Sequence, residues 1–282
     1  MLVAESVAEV RSAVAAARAA GKSVGFVPTM GALHAGHRSL MEASRSECDF
    51  HIVSIFVNPT QFGPHEDLAK YPRPRDADLE LCRSAGMDVV FYPPVDAMYP
   101  PGYRTFVEVE GLSSILEGAI RPGHFRGVAT VVTKLLLIAG ADRAYFGQKD
   151  YQQQTLIRVM VAELNLPTKI RVCPTLRDPD GLAMSSRNAY LTAEQRQAGL
   201  SLSRALSGAR EQIAAGETSV TAVEQAMHDV LTATPGVVID YAVLRHPDTL
   251  AEIPNVLPRT VALIAAKVGT TRLIDNIVID QR

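Results

Sequence analysis

The chain has 282 residues, and 28 Lys and Arg against 30 Asp and Glu leave a formal net charge of −2. That balance excludes the basic face that a general nucleic-acid surface requires. With 47% hydrophobic and 21% charged residues the composition is that of a globular protein, long enough for one large domain and a smaller one. The three cysteines, Cys48, Cys82 and Cys173, are widely spaced and form no CxxC pair, so neither a disulfide framework nor a zinc knuckle is indicated. Glu5 and Glu9 stand where a signal peptide has its basic region, and the most apolar stretch, Val128 to Ala141, is interrupted by Lys134 and too short to span a bilayer. A cytoplasmic protein without membrane contact is expected.

In chain order, Val3, Val7, Val10 and Val14 recur at helical spacing in an Ala-rich segment that stops at Gly21, and Val24 to Val27 follows as a short buried strand. A helix is expected from Gly36 to Ser46, a strand from His51 to Val57, a helix from about Pro74 to Ala85 and a strand from Asp88 to Tyr92. Next come a helix from about Gly127 to Ala139, a strand from Arg143 to Phe146, a helix from Asp150 to Leu164 and a strand from Lys169 to Val172. Such alternation predicts parallel strands joined by helical crossovers. Beyond a loop at Arg177 to Gly181 the pattern changes. Two helices, about Ala193 to Ala215 and Val220 to Ala233, precede three closely spaced strands, Val237 to Leu244, Val261 to Ala266 and Arg272 to Ile279. Thr192 and Gln195 form a candidate capping box for the first of these helices. The expected fold is α/β, with a Rossmann-like parallel sheet domain over 1–175 followed by a smaller α+β domain with a short antiparallel sheet over 176–282.

The richest segment is Pro28-Thr29-Met30-Gly31-Ala32-Leu33-His34-Ala35-Gly36-His37, which leaves a strand and enters a helix. His34 and His37 then lie three residues apart on the first turn, where exposed backbone N–H groups and the helix dipole favour an anion. Imidazole donors there suit the spread negative charge of a phosphoryl transition state, although histidines also serve as plain helix caps. Gly147-Gln148-Lys149-Asp150 marks a second strand-to-helix junction, where parallel sheets collect ligands. Lys149 offers a point charge to phosphate, and Asp150 a carboxylate for ribose hydroxyls or hydrated Mg²⁺. Met184-Ser185-Ser186-Arg187 supplies two hydroxyls and a guanidinium on a loop suited to closing over a triphosphate. Asn58 and Gln61 follow a buried strand and, with Gln153, offer amides suited to a small polyol acid, though Asn58 before Pro59 also fits an ordinary turn. The histidine pair has no third ligand at metal spacing.

Taken together, PTMGALHAGH (28–37), FVNPTQF (56–62), YPR (71–73), GHFRGVATVV (123–132), FGQKDYQQ (146–153) and LRDPDGLAMSSRN (176–188) give the chain a resemblance, along essentially its whole length, to the pantothenate synthetases (pantoate–beta-alanine ligases). These belong to the HIGH-motif nucleotidyltransferases, which include the class I aminoacyl-tRNA synthetases. Relative to the synthetase KMSKS loop, Ala183 and Arg187 flank Met184-Ser185-Ser186, a departure that is the pantothenate synthetase pattern itself. The resemblance implies an ATP site made of Met30, Gly31, Ala32, Leu33, His34, Ala35, Gly36 and His37, of Gly147, Gln148, Lys149 and Asp150, of a backbone contact near Leu176, and of Met184, Ser185, Ser186 and Arg187. It places the proton-donor role on His37, with His34, Lys149 and Arg187 as further catalytic groups. It implies (R)-pantoate held by Gln61 and Gln153 with Asn58 nearby, beta-alanine bordered by Gln61, Mg²⁺ accompanying ATP, and a homodimer.

The implied reaction has two steps: formation of a pantoyl adenylate and pyrophosphate, then attack by the amine to give the amide and AMP. Because an acyl adenylate hydrolyses readily, the second domain is expected to act as a lid. Another HIGH-motif nucleotidyltransferase acting on a phosphate ester is the alternative, but it would need further basic residues for the second phosphate. A non-catalytic nucleotide sensor would need a damaged site, whereas both histidines, Lys149 and Arg187 are present.

Overall fold

The computed structural model describes residues 1–63, 66 and 68–281 of the chain. These fall into two compact units, one of Met1–Gly147 with Gln152–Pro174 and the other of Gln148–Tyr151 with Thr175–Arg282.

The first unit begins with β1 (Leu2–Ala4) and α1 (Val7–Ala19). Val3 therefore lies in a strand, not in the helix that the valine spacing suggested. It pairs in parallel with Val90, while Ser6 and Glu9 close a capping box that fixes the helix start at Val7. Then follow β2 (Val24–Thr29), α2 (Ala35–Glu47), β3 (Phe50–Ile55), α3 (Arg75–Ser84) and β4 (Val89–Phe91). Two single-turn helices, α4 (Val95–Met98) and α5 (Glu117–Ile120), precede α6 (His124–Ala139). The unit closes with β5 (Arg143–Gly147), α7 (Tyr151–Glu163) and β6 (Lys169–Cys173). All six strands pair in parallel in the order β1-β4-β3-β2-β5-β6.

That order runs outward from β2 in one direction through β3 and in the other through β5. The switch point therefore lies between β2 and β5, and ligands of such sheets gather at the carboxyl ends of the strands there. The runs Val24–Val27, Ile52–Val53 and Val89–Phe91 are buried, as expected of strands covered by helices on both faces. Gly25 lets α2 approach the sheet: a Cβ there would lie 2.2 Å from Ser44 Oγ.

In the second unit, α8 (Ala193–Ala214) and α9 (Val220–Thr232) pack on an antiparallel sheet of β7 (Val237–Arg245), β8 (Arg259–Val268) and β9 (Thr271–Asp280), in the order β7-β8-β9. The expected Thr192–Gln195 capping box starts α8. Leu202, Leu206, Met227, Leu231, Leu244 and Ile264 belong to one core between helices and sheet. The three cysteines are free, Cys48 and Cys82 being buried. Among the described residues, no helix is long and apolar enough to cross a membrane.

Candidate active site

β2 ends at Thr29, and the chain turns through two left-handed residues, Gly31 (φ +87°) and Ala32 (φ +50°), before α2 begins. Thr29 Oγ1 accepts the Gly31 N–H at 3.2 Å and donates to the Ser54 carbonyl at 2.7 Å. From α3, the buried Asp78 carboxylate accepts the Leu33 N–H at 2.7 Å and the Ala32 N–H at 2.9 Å. A Cβ on Gly31 would stand 2.9 Å from Asp78 Oδ2, so only glycine fits beneath this clamp. Burial raises the Asp78 carboxyl above its ordinary range, outweighing the two N–H bonds it accepts.

His34 is the N-cap of α2, and its Nδ1 accepts the Gly36 N–H at 3.1 Å. His37 Nδ1 in turn accepts the His34 N–H at 3.3 Å, and the two ring centroids lie 4.1 Å apart. A neutral imidazole that accepts at Nδ1 carries its proton on Nε2, across the ring. The local fold thus selects one tautomer for both rings and gives each an Nε2–H donor at the positive end of a 13-residue helix.

The Asn58–Gln61 turn follows β3. Asn58 is buried; its Nδ2 donates to Gln61 Oε1 and to the Gly127 carbonyl, both at 3.1 Å. Its Oδ1 accepts the Tyr99 hydroxyl at 2.8 Å and the Thr60 hydroxyl at 2.9 Å. The turn presses so tightly on α6 that a Cβ at Gly127 would lie 2.3 Å from the Thr60 carbonyl oxygen. Gln61 Nε2 reaches Met30 Sδ at 3.0 Å, which brings the amide next to the loop after β2. His124 donates from Nδ1 to the Gln61 carbonyl at 2.8 Å and accepts Arg121 Nη1 at Nε2 at 3.0 Å. Burial, reinforced by the Arg121 charge, pushes the His124 pKa down to about 4 and keeps the ring neutral. Arg121 is held by Glu66 at 2.6 and 2.7 Å, and these contacts outweigh burial in keeping the Glu66 carboxyl below its ordinary range. Gln153 is half-buried in the first turn of α7, whereas its neighbour Gln152 is buried and bonded to backbone.

In the second unit, Gln148–Asp150 leads from β5 towards α7, with Lys149 half-buried and Asp150 exposed. Asn276 on β9 donates to the Gln148 and Lys149 carbonyls at 3.1 and 2.8 Å. Tyr151 donates its hydroxyl to the Pro247 carbonyl at 2.9 Å. Within the 176–188 segment, Leu176 accepts the Met184 N–H at 3.0 Å and Arg177 forms an isolated bridge with Ala183. Arg177 is gripped by Asp275 at 2.6 and 2.9 Å. The expected loop at Met184–Arg187 runs into a short 3-10 turn, Ser186–Tyr190, capped by Ser185 Oγ on the Arg187 N–H at 3.2 Å.

A family model described as pantoate-beta-alanine ligase matches residues 2–278. The chain belongs to the pantoate–beta-alanine ligase family. The pantothenate synthetase of Moorella thermoacetica is 54% identical over 276 residues, 98% of each chain. Among solved structures, the pantothenate synthetase of Thermus thermophilus matches with a TM-score of 0.93 at 45% identity, covering 98% of this chain and 99% of that one. The Francisella tularensis pantoate-beta-alanine ligase, solved with a beta-gamma ATP ligand and beta-alanine, matches with a TM-score of 0.80 at 36% identity, covering 99% of this chain and 97% of that one. The family fold is the Rossmann-like parallel sheet followed by the small antiparallel-sheet unit described above.

Asp78, Arg121, His124 and Asn276 brace residues that the motifs singled out, yet none was named from the sequence for a role at the site. His124 lies inside the GHFRGVATVV block, which was a usable signal. Asp78 reads as an ordinary acidic residue in the first turn of a helix, and Asn276 as one polar residue in a strand.

Proposed function

We propose that this ligase joins (R)-pantoate to beta-alanine, with ATP cleaved to AMP and diphosphate by way of a pantoyl adenylate. Family membership over residues 2–278 supports the reaction, and the two histidines held side by side through Nδ1 at the start of α2 are the observation that carries it. A pantoate carboxylate oxygen attacks the α-phosphorus, the bond to the bridging oxygen breaks, and pyrophosphate leaves with the bonding electrons. His34 and His37 donate Nε2–H to phosphate oxygens as charge builds, and His37 is the proton donor. Lys149 and Arg187 add cationic stabilisation, while Met30–His37, Gly147–Asp150, Leu176 and Met184–Arg187 hold the nucleotide.

Gln61 and Gln153 bind pantoate, and Gln61 also borders beta-alanine. Asn58, with both amide hydrogens and its carbonyl already engaged, orients Gln61. The amine of beta-alanine then attacks the acyl carbon and loses a proton, the C–O bond to phosphate breaks, and AMP departs as the amide forms. The nucleotide enters as Mg·ATP. Asp150 offers its carboxylate to a ribose hydroxyl or to the hydrated Mg²⁺ that accompanies the phosphates. The segment 176–282 serves as a lid, and the working protein is a cytoplasmic homodimer.

The test is mass spectrometry of protein with Mg·ATP and (R)-pantoate, with and without beta-alanine. Pantoyl adenylate without the amine, and pantothenate with AMP and diphosphate once it is added, are expected. Intact ATP in both tubes would reject the function.

A further inference from the structure

Asn276 is an unusual residue for the interior of a strand, where a β-branched side chain would pack better. It is nonetheless buried, and both kinds of polar atom in its amide face the Gln148–Lys149 segment. Nδ2 donates to the Gln148 and Lys149 carbonyls at 3.1 and 2.8 Å, and Oδ1 accepts Gln148 Nε2 at 3.3 Å. A trans peptide points its C=O and N–H in opposite directions within its plane. Holding these two successive carbonyls on Asn276 therefore turns the following N–H groups, those of Lys149 and Asp150, away from the sheet. The conformation at Lys149 is set in the same way, because the peptide planes on both of its sides are clamped.

We infer that Asn276 is a positioning residue for Lys149, holding its peptide planes so that the ammonium and two adjacent N–H groups meet the phosphates of ATP. This deepens the function proposed above and rests on the assignment of Lys149 to ATP. Asp275 next to it shows the same strand serving the other segment. Successive strand residues face opposite sides, and Asp275 grips Arg177 with two bonds while Arg177 Nη1 donates to the Gly181 carbonyl at 3.1 Å.

Two half-reactions separate positioning from general damage: single-turnover adenylation with Mg·ATP varied, and aminolysis of preformed pantoyl adenylate by beta-alanine. Asn276→Ala is expected to lower kcat/KM for ATP in adenylation roughly tenfold through loss of the two bonds to the Gln148 and Lys149 carbonyls, with aminolysis within about twofold of wild type. In a double-mutant cycle, Asn276→Ala combined with Lys149→Ala should lose less than the product of the two single losses. Should Asn276→Ala not fold by circular dichroism, Asn276→Asp keeps the volume, turns the donors into acceptors facing two carbonyls, and should give the same selective loss. A product of full single losses, or an equal fall in both half-reactions, would overturn the inference while leaving Lys149 in its role. Wild-type adenylation in Lys149→Ala would instead remove the assignment on which it rests.

Discussion

At the residue scale, the site depends on which nitrogen of each imidazole bears the proton. His34 and His37 both spend Nδ1 on backbone N–H groups, so the donor each can present is Nε2–H. Replacing His37 with Ala removes one such donor and also the acceptor for the His34 N–H. Adenylation should slow by roughly 2.7–4 kcal/mol in barrier, read by single-turnover formation of pantoyl adenylate. His124 is a different case, a buried ring kept neutral between a carbonyl and a guanidinium. Its pKa falls from 6.5 to about 4 on folding, so between those values the unfolded chain binds more protons than the native one. The stability this ring contributes is fully present above pH 6.5 and is lost as pH drops towards 4, by roughly 3 kcal/mol. Urea denaturation from pH 7 to pH 4 should show that slope, and His124→Asn should flatten it.

At the element scale, three helices act as supports for short irregular segments. α3 presents Asp78 to the loop after β2, α2 supplies its own N-terminus, and α6 lies against the Asn58–Gln61 turn at Gly127. The last contact leaves no room for a methyl group, because the atoms in the way are the backbone of Thr60 and Gln61. Gly127→Ala should therefore cost roughly 1–3 kcal/mol of stability by overpacking, seen as a lower urea midpoint. The same shift moves Gln61, so KM for pantoate should rise while KM for ATP changes little.

At the scale of the whole molecule, each unit carries part of the residue set assigned to ATP and has its own buried core. A ligand that binds the native state alone stabilises it by mass action. Mg·ATP at about a hundred times its Kd should raise unfolding free energy by about 2.7 kcal/mol. The gain should shrink in Lys149→Ala and in Arg187→Ala, and chelation of Mg²⁺ by EDTA should remove most of it. Thermal unfolding with and without nucleotide reads all three effects.

The sequence by itself determined the alternation of strand and helix, the change to an antiparallel sheet after residue 176 and the motif segments named for the site. Those signals are local: apolar spacing, a Thr192–Gln195 capping pair, two histidines three residues apart. Local signals also misled at Val3, whose spacing with Val7 and Val10 suits a helix but whose parallel partner, Val90, lies far along the chain. Only the tertiary structure decided what holds the motifs in place. Asp78 meets Leu33 across 45 residues, His124 meets Gln61 across 63 and Asn276 meets Lys149 across 127. A buried backbone N–H or carbonyl must find a partner, yet its own neighbourhood in sequence does not say which residue that will be, because strand order and helix packing bring the partner there.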